Sequence, residues 1–303
     1  MKEYIDIKPD FTLDKDADNS SPTMKENVFT DLTNYIPEQG SILTRKGVSS
    51  YSFTDNDATY VPADDPDCLM HLMFEGANWK DCEIQGANYM VTTAGSSSHI
   101  YADSGIKKVG TSSLNHDTSG MPGLGLALMY HKVNADLPAL FPGEGADDII
   151  MSFWYYGVYH ADWSFEIVKH DSQSQAGGFS FGFDGSNRFR WYVTSEAGAN
   201  RSCTTDVSFA YDVWWHIGCW SSKVVGNSGF MCYHEPSGNE YEKKMTVPGT
   251  LGGADRRDAN FWVGLGNREV ENIYMDDFIL CNVVPSTEAA ILAKIRLMRA
   301  RGL

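Results

Sequence analysis

Apolar and polar residues alternate strictly in two neighbouring segments of this chain. Residues 179–183 read Phe-Ser-Phe-Gly-Phe, and residues 188–193 read Arg-Phe-Arg-Trp-Tyr-Val. A period of two is the pattern of a β-strand with one buried face. The residues between them, 184–187, are the turn formers Asp-Gly-Ser-Asn. The two segments therefore predict one β-hairpin.

Short segments rich in aromatic and β-branched residues predict further strands along the chain. The clearest of these are residues 150–155, 214–220, 261–266 and 274–280. Helical periodicity is scarce before the last twenty residues. The pattern therefore indicates an all-β fold.

One helix is predicted at the end of the chain, over residues 286–301. Ser286 is the expected N-cap. Basic residues are concentrated in the last turns, where their charge complements the helix dipole. The side chains at 290, 291, 295 and 298 form one apolar stripe. Gly302 then ends the helix.

Residues 1–67 differ from the rest in charge and pattern. They hold fourteen acidic and six basic residues, a balance of −8, which is half of the −16 of the whole chain. Regular apolar periodicity is weak, so this segment does not bury enough surface to fold alone. Its apolar residues predict an extended arm that orders against its own sandwich or against a neighbouring subunit. The chain thus divides into an arm (1–67), a β-domain (68–285) and a terminal helix (286–303).

The charge and the apolar runs exclude several classes of partner. A net charge of −16 opposes binding to nucleic acid or to an anionic membrane surface. No apolar run reaches the roughly 20 residues of a membrane span, and the first residues contain no apolar signal-peptide core. The six cysteines form no Cys-x-x-Cys pair, so zinc binding has little support. We expect reduced thiols, with a disulfide as the alternative.

Seven segments, taken in chain order, resemble those of a concanavalin A-like (laminin-G-like) jelly-roll domain of the lectin/glucanase superfamily. These segments are residues 71–76, 109–114, 150–155, 215–217, 229–233, 274–280 and 285–288. The resemblance runs from residue 69 to residue 292. It implies a two-sheet antiparallel jelly-roll sandwich, here with an extended N-terminal arm and a short C-terminal helix.

A second, shorter resemblance lies in the arm. Residues 31–48 are similar to segments near the start of tailed-phage structural proteins, in which an Arg-x-Gly turn such as that of residues 45–47 is common. This resemblance implies a component of a virion that is assembled in the host cytoplasm.

The residues that hydrolases of the superfamily use are not found in this sequence. Those enzymes carry Glu-x-Asp-x-x-Glu on a strand, which supplies paired carboxylates for nucleophilic and acid–base roles. No such spacing occurs here. His216 is interpreted as a core histidine of a structural strand. We therefore expect a protein that is not an enzyme.

A structural calcium ion is one candidate cofactor. Domains of this fold often hold Ca²⁺ between the first strand and the last, through hard oxygen ligands. Glu75, Asp81 and Asp277 are the candidates by position. The alternative is structural, with one residue of the pair Asp276 and Asp277 facing solvent and the other capping a turn.

Sugar binding is the second candidate property. It requires exposed aromatic platforms with polar neighbours. The candidate residues are Trp154, Tyr156, Arg190, Tyr192 and Trp220. Because alternation does not tell which face of a strand points inward, half of these rings are expected in the core under the alternative interpretation.

The sequence therefore predicts a non-enzymatic virion component with a jelly-roll domain that decorates the particle or adheres to surface polysaccharide. The arm would bind other virion proteins, and symmetric positions on a particle favour homo-oligomers. The alternative is a free carbohydrate-binding lectin, or a polysaccharide-active enzyme of the same fold.

Overall fold

The computed structural model describes twelve stretches of the chain. They are residues 60–84, 90–92, 99–117, 129–131, 148–160, 165–171, 179–194, 200–222, 224–246, 260–263, 270–282 and 284–303. Residues 1–59, which include most of the predicted arm and the phage-like segment 31–48, lie outside the described residues.

Strands account for most of the described residues. They are β1 (Cys68–Leu72), β2 (Val91–Thr92), β3 (Ile100–Asp103), β4 (Ser113–His116), β5 (Met129–His131), β6 (Ile149–His160), β7 (Phe165–Asp171), β8 (Phe179–Phe183), β9 (Arg188–Thr194), β10 (Asn200–Ser208), β11 (Trp214–Ser222), β12 (Asn227–His234), β13 (Asn239–Thr246), β14 (Asn260–Val263) and β15 (Val270–Cys281).

The strands form two antiparallel sheets. Sheet 1 has the order β13-β12-β11-β6-β15-β4-β3, with β1 also paired to β15, and sheet 2 has the order β10-β9-β8-β7-β14-β5-β2. The predicted hairpin is present as β8 and β9, which pair from Phe179 opposite Val193 to Phe183 opposite Phe189. The prediction of an all-β, two-sheet antiparallel sandwich is confirmed.

The main core lies between the two sheets and is rich in aromatic rings. Phe153 of sheet 1 meets Phe181 of sheet 2 edge to face, with 5.7 Å between ring centroids, and Phe181 meets Phe230 in the same way at 5.7 Å. These rings are fully buried. Burial of each one contributes about 1.5–3 kcal/mol relative to its exposure.

The predicted C-terminal helix is confirmed as α1 (Glu288–Arg299). It begins later than predicted, because Thr287 and not Ser286 is the N-cap, its side chain accepting a hydrogen bond from Ala290 N at 3.3 Å. Among the described residues, no helix has the length and apolar character to cross a membrane.

Helix α1 covers part of the outer face of sheet 1, the face opposite the main core. Its apolar stripe forms a second buried cluster with side chains of β6, β11, β12 and β15. The cluster includes Ile291, Leu292, Ile295 and Met298 of the helix and Ile150, Trp220, Met231 and Ile279 of the sheet. Gly218 of β11 permits the close approach, because a Cβ atom at this position would lie 2.2 Å from Ile295 Cγ2.

Ion pairs hold α1 and its C-terminal end on the sandwich. Two of them are largely buried: Arg301 Nε donates to both carboxylate oxygens of Asp277, at 2.9 and 3.1 Å, and Lys294 Nζ lies 2.8 Å from Asp65 Oδ2. At the sheet edge the hydrogen bond from Arg296, supported by Arg299, lowers the pKa of Glu240. Breaking one partner of a buried pair costs about 3–5 kcal/mol, so these contacts fix the position of the helix.

Residues 60–67, the last residues of the predicted arm, also pack on this face. Tyr60 is buried, and its hydroxyl donates to Asp65 Oδ2 at 2.6 Å. The backbone carbonyl of Tyr60 accepts from Arg301 at 2.8 Å, and that of Asp67 accepts from Asn282 N at 3.1 Å. The packed part of the chain therefore begins before residue 68.

We predict that Gly218→Ala destabilises the protein by about 1–3 kcal/mol, because the new methyl group overlaps Ile295. In the double variant with Ile295→Ala the two losses should be less than additive, since the second change removes the overlapping atoms. The measurement is urea unfolding. Gly185→Ala is the matched control, because a Cβ atom there meets nothing within 4 Å. Equal losses at 218 and 185 would contradict the close helix–sheet contact.

Candidate functional site

The five residues predicted to bind glycan lie on both sides of the sandwich. Trp154 and Tyr156 of β6 and Trp220 of β11 are on the outer face of sheet 1, whereas Arg190 and Tyr192 of β9 are on the outer face of sheet 2. The structure therefore does not bring the five together into one site.

Trp154 and Trp220 are fully buried, because α1 and its C-terminal turn cover this part of sheet 1. Trp220 belongs to the helix–sheet cluster, and a Cβ atom at Gly302 would lie 2.4 Å from Trp154 Nε1. Lys108 Nζ lies 4.6 Å from the centre of the Trp154 ring. A sugar platform needs an exposed ring face, so neither tryptophan belongs to the surface in this structure.

Arg190 and Tyr192 form a small polar strip on sheet 2. The Arg190 guanidinium carbon lies 6.0 Å from the centre of the Tyr192 ring, and both side chains are half-buried. Thr204 and Ser202 of β10 are their register partners. This strip offers one ring and one cation.

Tyr156 belongs to a longer row of side chains that crosses the outer face of sheet 1 beside α1. The row follows the register of five adjacent strands, β11, β6, β15, β4 and β3. Its members, in that order, are Trp214, Tyr156, Tyr274, Asn115 and Tyr101. We call this set the aromatic row.

Three of the four neighbouring pairs in the aromatic row make a side-chain contact. The ring of Tyr156 lies 5.4 Å from that of Trp214 and meets that of Tyr274 edge to face at 5.8 Å. Asn115 Nδ2 donates to the Tyr101 hydroxyl at 3.1 Å. These contacts fix the side chains relative to one another, so the row is a preformed surface.

Exposure differs along the aromatic row. Tyr101 is 37% exposed, Trp214 and Tyr156 are half-buried, and Tyr274 is 6% exposed. Tyr274 thus lies deeper than the other rings of the row, and Trp214, Tyr156 and Tyr101 remain partly accessible to a ligand. Asn115 is 1% exposed, so the polar groups that this surface offers to a flat amphipathic ligand are its tyrosine hydroxyls.

A carboxylate stands at each end of the aromatic row. Asp212 Oδ1 accepts from the Tyr156 hydroxyl at 3.5 Å, and Asp103 Oδ2 accepts from Asn115 Nδ2 at 3.4 Å. Asp212 has the left-handed backbone angle φ 59°, and its amide donates to Gly157 O at 2.9 Å. The Asp212 turn is thereby fixed to β6.

The hydroxyl groups of the row are poor acids. Burial, followed by the charge of Asp103, raises the pKa of Tyr274 to about 12. Burial also raises the pKa of Tyr156, and Asp212 adds to the effect. Burial raises the pKa of Tyr101 as well, and there the charges of Asp103 and Asp117 add to it. The tyrosines therefore remain protonated and keep their hydrogen-bond donors at neutral pH.

The three residues predicted to bind calcium are engaged in other contacts. Asp81 lies after the turn of residues 76–79, and its amide donates to Asn78 O at 2.8 Å. Asp277 is buried, and it accepts from Arg301 and lies 2.7 Å from His71 Nε2. Glu75 accepts from Thr111 N at 2.9 Å, at the start of the turn that precedes β4. Within the described ranges, no group of three His, Cys, Asp or Glu side chains is arranged to hold a metal ion.

Asp276 and Asp277 both point into the protein, and neither faces solvent. A register shift in β15 between Asp276 and Ile279 places consecutive residues in buried positions, and Asp277 has φ 49°. Asp276 Oδ2 accepts from Lys108 N at 2.7 Å and from Val109 N at 2.8 Å. Burial raises the pKa of Asp276 to about 7.

A serine–histidine pair occurs in sheet 1, but it is closed to substrate. Ser152 Oγ lies 2.8 Å from His216 Nε2, and both residues are buried on the face that α1 covers. Burial lowers the pKa of His216 well below its ordinary value, so the ring is neutral. This matches the interpretation of His216 as a core histidine.

Comparison with known proteins identifies structural neighbours only. No protein-family model matches the chain, and no curated protein sequence matches it. The binding domain of Paraclostridial Mosquitocidal Protein 1 is similar with a TM-score of 0.53 and 11% identity, over 76% of this chain and 52% of that chain. The binding domain of botulinum neurotoxin DC, in complex with rat synaptotagmin II, gives 0.53 and 11% over 78% and 52%.

A third neighbour is the ligand binding domain of botulinum neurotoxin serotype D in complex with N-acetylneuraminic acid. Its TM-score is 0.52 at 11% identity, over 75% of this chain and 50% of that chain. This chain thus spans about half of the length of the solved structures it matches. At this identity the likeness shows the fold alone, a β-sandwich that occurs in binding domains.

We predict different stability losses for two tryptophans of the outer face of sheet 1. Trp154→Ala should lower the free energy of unfolding by about 3–5 kcal/mol, because it empties a buried site. Trp214→Ala should lower the free energy of unfolding by about 1 kcal/mol, which is the typical contribution of an aromatic pair such as Trp214 and Tyr156. Urea unfolding at an unchanged m value gives both numbers. A loss at Trp214 as large as that at Trp154 would show that the aromatic row is core and not surface.

Proposed function

We propose that this chain is a non-enzymatic carbohydrate-binding protein that holds an oligosaccharide along the aromatic row. The observation that carries the proposal is the set of five in-register side chains that crosses five adjacent strands of sheet 1. A row of this kind is long enough for several sugar units, since adjacent strands lie about 4.8 Å apart.

The chemistry of the row suits sugars. The C–H faces of a pyranose ring are apolar and pack on aromatic rings, whereas its hydroxyl groups require hydrogen-bond partners. The rings of Trp214, Tyr156 and Tyr101 supply the first kind of contact, and the tyrosine hydroxyls with Asp103 and Asp212 supply the second. An aromatic surface edged by polar groups therefore offers a pyranose both kinds of contact.

Two further observations support a binding role. The structural neighbours are binding domains, one of them in complex with N-acetylneuraminic acid. The Ser152–His216 pair lies beneath α1, where no substrate reaches it. Both observations favour recognition over catalysis.

In this proposal the domain is displayed on the virion of a tailed phage, and residues 1–67 dock it to other virion proteins or to further copies of the chain. The support is the similarity of residues 31–48 to phage structural proteins and the acidic, weakly periodic arm. The exposed sandwich then adheres to polysaccharide on a cell surface.

The binding role is tested with a glycan array and then by calorimetry with the oligosaccharide that binds best. Trp214→Ala and Tyr156→Ala should each weaken binding at least tenfold, or about 1.4 kcal/mol. Tyr192→Ala is the matched control, because it removes a half-buried ring from the opposite sheet, and it should leave the affinity unchanged. Loss at Tyr192 without loss at Trp214 would move the site to sheet 2. An array without hits above an unrelated β-sandwich would refute the proposal.

The docking role of the arm is tested by size-exclusion chromatography with light scattering. The full chain should form an oligomer, whereas a chain that starts at Thr59 should be a folded monomer. The truncation retains residues 60–67 because they pack on the sandwich. If both chains are identical monomers, the arm is not an assembly device between copies. If both are the same oligomer, the sandwich itself makes the contacts. Either of these two results would refute the assembly of copies through the arm.

A further inference from the structure

The two carboxylates at the ends of the aromatic row are unneutralised. Asp103 accepts hydrogen bonds from Asn115 Nδ2 and Gly105 N, and Asp212 accepts from the Tyr156 hydroxyl. Among the described residues, neither forms an ion pair with lysine, arginine or histidine. Each carboxylate therefore presents its negative charge to a molecule that lies on the row.

A third carboxylate, Asp117, lies near one end of the row. The charge of Asp117 contributes to the raised pKa of both Tyr101 and Tyr274, so it acts on the same end of the row as Asp103. Lys108, a basic side chain beside the covered half of this face, is paired with Glu235 and lies over Trp154. At the other end, His99 precedes β3, and its Nδ1 lies 2.9 Å from Asp117 O. The net charge of −16 for the whole chain has the same sign as these carboxylates.

The two ends of the row act on different parts of a ligand. Four strand spacings of about 4.8 Å separate the ends by roughly 19 Å. This exceeds the Debye length of about 8 Å at physiological salt, so each end is screened from the other. An oligosaccharide that covers the row has one sugar unit beside Asp212 and another beside Asp103.

We infer that the aromatic row selects sugars by charge: it binds oligosaccharides with protonated amino groups most tightly, neutral ones less tightly and acidic ones most weakly. This inference rests on the proposed function and names the class of sugar. An ammonium group gains a charge-assisted hydrogen bond from a carboxylate, whereas a uronic or sialic carboxylate is repelled by it. N-acetylneuraminic acid, the ligand of one structural neighbour, would be a poor ligand for this row.

The test uses four oligosaccharides with the same length and the same β-1,4 gluco backbone. Their units are glucosamine, N-acetylglucosamine, glucose and glucuronic acid. Binding to the full chain is measured by calorimetry at low salt, at a mildly acidic pH that keeps the sugar amines protonated. The glucosamine oligomer should bind at least tenfold more tightly than the glucuronic acid oligomer, with the two neutral oligomers between them. Added salt should narrow this range, because it screens exposed charges.

Two substitutions test whether the row is the source of the selectivity. In the double variant Asp103→Asn and Asp212→Asn, the ratio of glucosamine to glucuronic acid affinity should fall at least fivefold. Asparagine keeps one acceptor oxygen and tolerates the left-handed backbone at 212. Each single variant is compared with Asp206→Asn, a control that removes one carboxylate from an exposed position on β10 of sheet 2, where it pairs with Lys243. This control should leave the ratio unchanged.

The possible outcomes separate this inference from the proposed function. The expected order of affinities, lost in the double variant and kept in the control, supports both. Equal or tighter binding of the glucuronic acid oligomer overturns the charge selectivity. If Trp214→Ala then still weakens that binding, the row remains the glycan site. If the ratio falls as much in Asp206→Asn as in each single variant, the selectivity comes from net charge and the inference is overturned. If none of the four oligomers binds, the inference is overturned, and the glycan array alone decides the proposed function.

Discussion

The contact between helix α1 and sheet 1 determines which part of the molecule is surface. Without the helix, the outer face of the sheet would expose an apolar patch that includes Ile150, Trp220 and Ile279. Exposed patches of this kind promote association, so the sheet requires a cover. The cover ends near Trp154, and beyond it Tyr156, Trp214 and Tyr101 of the same face are partly exposed. The position of the aromatic row is therefore a consequence of where the helix stops.

The end of the helix is set by the irregularity in β15. Because the register shifts after Asp276, two consecutive aspartates turn inward. Asp277 holds Arg301 just after the helix, and Asp276 holds the backbone at Lys108 and Val109. The same strand carries Tyr274 of the row. A change at the bulge would thus act on the helix anchor, the segment before β4 and the candidate site together.

The strands and the fold class could be predicted from the sequence because alternation reports directly on burial. The hairpin of β8 and β9 is the clearest case, since both strands and the turn between them carry their own signals. The terminal helix was equally visible from its apolar stripe and its basic end. These features depend on residues that are close together in the chain.

The candidate site could be predicted only in part, because it depends on contacts between distant residues. Alternation places Trp154 and Tyr156 on one face of β6, but it does not show that α1 covers the first and leaves the second accessible. That outcome depends on Gly218 and Ile295, which lie far apart in sequence. Trp214, Asn115 and Tyr101 were missed for a similar reason. Only the pairing register of five strands places them beside Tyr156.

The two outer faces of the sandwich differ in charge, and this difference relates ligand chemistry to location. The aromatic row on sheet 1 lies between Asp212 and Asp103, whereas the strip on sheet 2 carries Arg190 beside Tyr192. An acidic sugar would be repelled at the first face and attracted at the second. The row has the larger aromatic area, and its side chains are fixed by mutual contacts, which lowers the entropy lost on binding. For a neutral sugar, the larger aromatic area and the fixed side chains favour sheet 1, and for a basic sugar the two carboxylates add to this preference. Only an acidic sugar would gain on sheet 2, because its attraction to Arg190 offsets the smaller aromatic contact.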